Sequence, residues 1–185
     1  MKKLIPFGLN PANWGLRGKA RDEALAYHEL EGYELEVRLA ELSKEGTELT
    51  LALADINKAW GVIDEYEWLR QHIIHTVSGI DQEVELIKLD IDQHRIEKRE
   101  GEKMIASLLN EPWVAIVSDG LDIVAGPSGF YFEFDWNEQW ITMLREHGYE
   151  GVSEEELMEK WFTDVCRSEV VQNGPIPFNS SVVYD

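Results

Sequence analysis

Three carboxylates between residues 122 and 135 are the side chains best placed by sequence to do chemistry. Glu133 and Asp135 alternate with Phe132, Phe134 and Trp136. Residues two apart on a strand project to the same face, so both carboxylates point one way. Asp122, on the preceding strand, would complete an oxygen-only set suited to Mg²⁺ and so to metal-dependent hydrolysis. A simpler reading competes with this one. Alternating polar residues also form the wet face of any strand whose other face is aromatic.

The arrangement Asp122…Glu133-x-Asp135 is similar to the Asp…Glu-x-Lys core of restriction-type nucleases. It departs at the residue that would activate water, which is Asp135 here, and no lysine lies between Lys103 and Lys160. Other chemistry is sparser. No histidine has Glu three residues before it, which excludes the Glu-x-x-His pattern of carboxylate-bridged di-iron bundles. His72 and His75 share a helix face at i, i+3, with no HExxH or cysteine partner for zinc. Cys166, the single cysteine, sits beside Val165 as a small packing residue. Gly126-Pro127-Ser128-Gly129 lacks the Gly-Lys-Ser/Thr of a phosphate loop. No cofactor is implied.

Charge narrows the class of partner. The 185 residues carry 36 acids against 17 Lys and Arg, a formal charge of −19. The imbalance is uneven: residues 1–21 hold five bases and no acid, so the remainder carries all 36 acids and only 12 bases. An acidic body repels nucleic acid and anionic membranes and attracts basic partners. No apolar run reaches the roughly 18 residues that span a bilayer. With one cysteine and no signal-peptide pattern, the expected location is the cytoplasm.

The elements that must position these residues read as α+β, mainly α. Residues 1–19 form an extended basic arm, in which Pro6, Gly8, Pro11, Gly15 and Gly18 break any helix. Residues 20–111 form the helical region. Steps of three and four between apolar residues predict three long helices, Ala20–Leu42, Thr47–Val77 and Ile80–Leu109, packed as a bundle. Residues 47–54 alternate like a strand, but the longer helical stripe overrides that pattern. Residues 112–169 hold a β-meander and two helices. The meander comprises strands 113–117, 121–124 and 130–136, with Ser118-Asp119-Gly120 as a hairpin turn. A helix follows from Asn137 to His147, and a second opens on the capping box Ser153–Glu156. Residues 170–185 are an extended apolar tail.

Three function classes follow. The first is a non-enzymatic assembly or adaptor protein, of which a phage-type virion or accessory protein is one form. Its arms would contact copies of itself or a protein partner through Phe7, Trp14, Arg17, Lys19 and Arg21 at one end and Pro177, Phe178 and Tyr184 at the other. The second is an acidic mimic of nucleic acid that occupies the basic groove of a DNA- or RNA-binding protein. The third is the hydrolase at Asp122, Glu133 and Asp135. The first accounts for both apolar arms and for the opposite charge of arm and body.

Overall fold

The computed structural model describes residues 6–121 and 130–173. Eight α-helices and one two-stranded antiparallel sheet make up the regular structure there, so the chain is α+β and mainly helical. It divides into two compact units, Met1–Ile96 and Glu97–Asp185.

The first unit holds α1 (Lys19–Glu29), α2 (Gly32–Ser43), α3 (Gly46–Ala59), α4 (Glu65–Thr76) and α5 (Ile80–Asp92). The expected three long helices are therefore shorter ones. The first breaks at Leu30 and Glu31, both extended, and Gly32 enters α2 with φ at 60°. The Trp60 ring lies where a Cβ on Gly32 would sit, 3.1 Å away. That glycine serves a turn and a close contact, not a helix interior.

The second break follows α3. Val62 N–H reaches the Asn57 carbonyl and Gly61 N–H reaches the Lys58 carbonyl, the paired bonds of a Schellman helix end. Its left-handed residue is Gly61, with φ at 69°. Asp64 then caps α4, accepting the Glu67 N–H at 2.8 Å. The third break is the same motif at the end of α5: Arg95 N–H to Asp90, and His94 N–H to Ile91. Here His94 takes the left-handed place, with φ at 54°.

The helices of this unit repeat. Tyr33 of α2 donates its hydroxyl to Asn57 of α3, and Tyr66 of α4 donates its own to Asp90 of α5, both at 2.8 Å. The period is 33 residues, from Tyr33 to Tyr66, and it also relates Gly46 to Gly79 and Gly61 to His94. The substantial helix contacts of the unit join chain neighbours: α1 with α2, α2 with α3, α3 with α4, α4 with α5. Stacked helical hairpins have this connectivity. Among the described residues of the unit, the buried ones are one alanine in each of the first three helices, Ala26, Ala40 and Ala54, and Val84, Ile87 and Leu89 of α5.

The second unit holds α6 (Lys98–Leu108), β1 (Val114–Leu121), β2 (Phe130–Trp136), α7 (Glu138–Glu146) and α8 (Glu154–Asn173). Its core is Ile141 and Leu144 of α7 against Leu157 and Met158 of α8, with Phe134, Trp136, Trp140 and Trp161 packed around them. The expected turn at Ser118-Asp119-Gly120 is instead part of β1, pairing with Glu133, Phe132 and Tyr131. A bulge between Ile116 and Ser118 resets the register. Gly120 is there to admit a neighbour: a Cβ would stand 2.7 Å from the Tyr131 ring. The strand expected at 121–124 falls mainly outside the described residues, and of its residues only Leu121 is seen, as the end of β1.

The start of α6 places the unit boundary well before residue 112, where the sequence changes character. Side chains explain this. Lys103 Nζ of α6 lies 2.6 Å from Asp135 Oδ1 of β2, and Asn137 fastens the end of α6 to the hairpin. Asn137 is 4% exposed. Its Oδ1 accepts the N–H of Trp113 at 2.9 Å and of Trp140 at 3.0 Å. Its Nδ2 donates to the Glu111 carbonyl at 2.8 Å. One side chain thus caps α7 and closes the α6–β1 connection. At α8 half of the expected box forms: Glu156 N–H donates to Ser153 Oγ, but Glu156 Oε2 takes the N–H of Val152, one residue before the cap.

Candidate functional site

Two clusters gather polar or aromatic groups, one in each unit. In the first unit, α4 presents Trp68 and His72 one turn apart toward Asp55 of α3. Asp55 Oδ1 accepts the Trp68 indole N–H at 2.7 Å and lies 3.0 Å from His72 Nε2. The Trp68 hydrogen bond, aided by His72 and Lys58, holds the Asp55 carboxyl below its usual range. Lys58 Nζ sits 3.7 Å above the Trp68 ring and 3.3 Å from Glu65, a cation–π contact on the hairpin surface.

An Asp–His pair is the base and orienting part of a nucleophilic triad. Among the described residues no hydroxyl or thiol hydrogen-bonds to the His72 ring. Thr76, one turn beyond His72, donates its hydroxyl to the His72 carbonyl at 2.6 Å, and Thr50 donates to the Gly46 carbonyl. The cluster fastens α3 to α4. It also engages His72 separately from His75, which is exposed at the end of the same helix.

In the second unit a groove of about 520 Å³ runs between β2 and α8. Consecutive β2 residues Tyr131, Phe132, Glu133 and Phe134 form one wall, and Glu155, Met158, Glu159 and Phe162 form the other at helical spacing. Phe132 and Phe162 meet at a centroid distance of 5.0 Å, as do Phe134 and Phe162. Phe132 remains 42% exposed. The outer edge of β2 has no ladder partner among the described residues.

The residues singled out by sequence fall as follows. Glu133 and Asp135 share a face of β2, but Asp135 is engaged by Lys103 while Glu133 lines the groove. Asp122 lies outside the described residues, as do Pro177, Phe178 and Tyr184. Among the described residues no three His, Cys, Asp or Glu side chains are grouped to hold a metal ion. In the arm, Phe7 packs edge-on against His28 of α1 at 5.6 Å. Trp14 is 72% exposed and Leu9 68%; the Trp14 indole donates to the Gly8 carbonyl. Arg17, Lys19 and Arg21 are exposed at the start of α1, and Lys19 stands 3.9 Å from Glu23. The arm is not extended here: 3-10 turns at Phe7–Leu9 and Pro11–Asn13 shape it.

Sequence reading missed the Asp55 cluster and the groove. Trp68 and His72 at i, i+4 were a legible signal; their partner on a different helix was not. No described helix is long and apolar enough to cross a membrane. Comparison of the chain with protein families, with curated proteins and with solved structures gives no match.

Proposed function

We propose that this chain is a non-enzymatic assembly or adaptor protein that works through protein–protein contacts. The observation that carries the reading is the hairpin repeat α2–α3 and α4–α5, fastened by equivalent hydrogen bonds, Tyr33 to Asn57 and Tyr66 to Asp90. Stacked helical hairpins bury one side of each helix against a neighbour and leave a continuous surface for a partner. Fold alone does not assign function. Two further observations point the same way: the exposed aromatic and basic groups of the arm, and the aromatic groove of the second unit. Neither adjoins a catalytic constellation among the described residues. Assembly into a larger particle, phage-type or other, is the most specific form of this proposal.

The test is native mass by light scattering after gel filtration, for the full chain and for residues 19–173. The reading expects an oligomer for the full chain that shrinks on trimming, or a stable complex with a basic protein. A full chain that stays monomeric across the concentration range and binds no protein partner would sink it.

A further inference from the structure

We propose that the groove between β2 and α8 receives the basic arm of a second copy of this chain, with Trp14 as the apolar anchor and Arg17 facing the rim carboxylates. This rests on the assembly reading above and names its surface. Phe132, Met158 and Phe162 supply the apolar side of the groove, and Glu133, Glu155 and Glu159 its rim; among the described residues no lysine or arginine lines it. The cations nearest in sequence are already engaged. Lys160 holds Glu156 and the Glu150 carbonyl, and Arg167 lies 3.6 Å from Asp164.

A groove with an aromatic floor and an acidic rim that has no lysine or arginine partner among the described residues selects a segment that carries both a large apolar side chain and a positive charge. The rings add a face over which a guanidinium or ammonium group is attracted. Acidic segments are repelled, and the body of this chain is acidic almost throughout. Residues 1–21 are the exception, with five bases and no acid. Within that stretch Phe7 is already placed on its own α1. Trp14, Leu9 and Arg17 are left on the surface. Tryptophan and arginine are the side chains that most often dominate binding energy at protein interfaces. Arm and groove are complementary in charge and in apolar character. Because one copy offers both, the contact propagates from copy to copy.

The experiment uses the full chain throughout. Sedimentation reads self-association, and fluorescence anisotropy reads binding of a labelled synthetic peptide of residues 1–21. The variants are Glu133→Lys with Glu159→Lys, Trp14→Ala, and Arg17→Glu, each checked for unchanged circular dichroism. The groove variant should weaken both self-association and peptide binding by about tenfold or more, and raised salt should weaken the wild-type contact. Trp14→Ala should weaken self-association to a similar degree. Mixing the Arg17→Glu chain with the groove variant should restore association that neither shows alone, which a folding defect would not do. Self-association untouched by the groove variant would overturn this proposal and leave the assembly reading standing. A monomeric wild type that binds neither peptide nor any protein would overturn both. A scrambled 1–21 peptide bound as tightly would overturn the second copy as occupant in favour of basic partners in general.

Discussion

Replacing Asn137 by alanine should unfasten the second unit at three places together. The side chain caps α7 through the Trp140 N–H, and losing such a cap costs about 0.5–2 kcal/mol. It also leaves the Trp113 N–H and the Glu111 carbonyl without their side-chain partner, each worth about 1–3 kcal/mol if it stays dry. These terms share one residue and overlap, so we expect a total loss of about 3–5 kcal/mol. The assay is urea denaturation followed by tryptophan fluorescence, since Trp113, Trp136, Trp140 and Trp161 all belong to this unit. Asn137→Asp sharpens it: the carboxylate still accepts from Trp113 and Trp140, but an oxygen now faces the Glu111 carbonyl where Nδ2 donated. That variant should fall between wild type and alanine and should recover as pH is lowered, because the protonated acid can donate again. A loss below about 1 kcal/mol for Asn137→Ala would refute the account of Asn137 as the fastening of the hairpin to α6.

Further outcomes are expected elsewhere. Leu157, fully buried, should cost about 2–5 kcal/mol on substitution by alanine; a smaller loss in urea melts would mean the α7–α8 core relaxes around the gap. His94→Gly should stabilise the first unit by about 1 kcal/mol and Gly61→Ala should destabilise it by a similar amount, because both stand in the left-handed place of a Schellman end. Equal signs in thermal melts would contradict the equivalence of the two turns. The Asp55 carboxyl, with its proton affinity lowered in the fold by Trp68 and His72, contributes stability that is present above the unfolded carboxylate range near pH ~4 and lost as pH falls through its lower folded value. The stability gap between wild type and Asp55→Asn should therefore hold from neutral pH down to the unfolded carboxylate range and narrow as pH falls below about 4; a gap constant through that acid range would remove the hydrogen-bonded carboxylate as its cause. Tyr66→Phe should cost about 1 kcal/mol by releasing Asp90, with Tyr33→Phe giving a matching loss.

Much of the fold was legible in residue spacing, and the failures have identifiable causes. Three-and-four spacing located helical sequence from Ala20 to Leu109 because burial of one stripe per helix leaves that trace. It did not show where helices end. The turn at Leu30-Glu31-Gly32 carries one glycine and no proline, and the turn after α5 puts a histidine where a glycine was the expected signal. Asp119-Gly120 read as a hairpin turn because aspartate and glycine are turn formers. Gly120 is in fact small so that the Tyr131 ring can cross it. Such a reason depends on the opposite strand and leaves no mark within one segment. The same limit hid the candidate site. Trp68 and His72 could be placed on a face of α4, but Asp55 reaches them only because α3 and α4 form a hairpin. The Ser153 cap of α8 was legible because donor and acceptor lie three residues apart.

The 33-residue period gives the chain a grammar of length. The residues preceding α2, α4 and α6 are Glu31, Asp64 and Glu97, so the segment from one of these acids to the next behaves as a cassette with matching ends. Where contacts run between chain neighbours, stability is set by each module and its junctions, and a cassette can be copied or excised without redesigning what lies far along the chain. At the third occurrence the cassette opens with α6, but Pro112 stands where Gly46 and Gly79 open α3 and α5, and the chain enters β1 instead. That proline is a punctuation mark: it ends the modular part of the sequence and begins the part that cannot be extended by repetition.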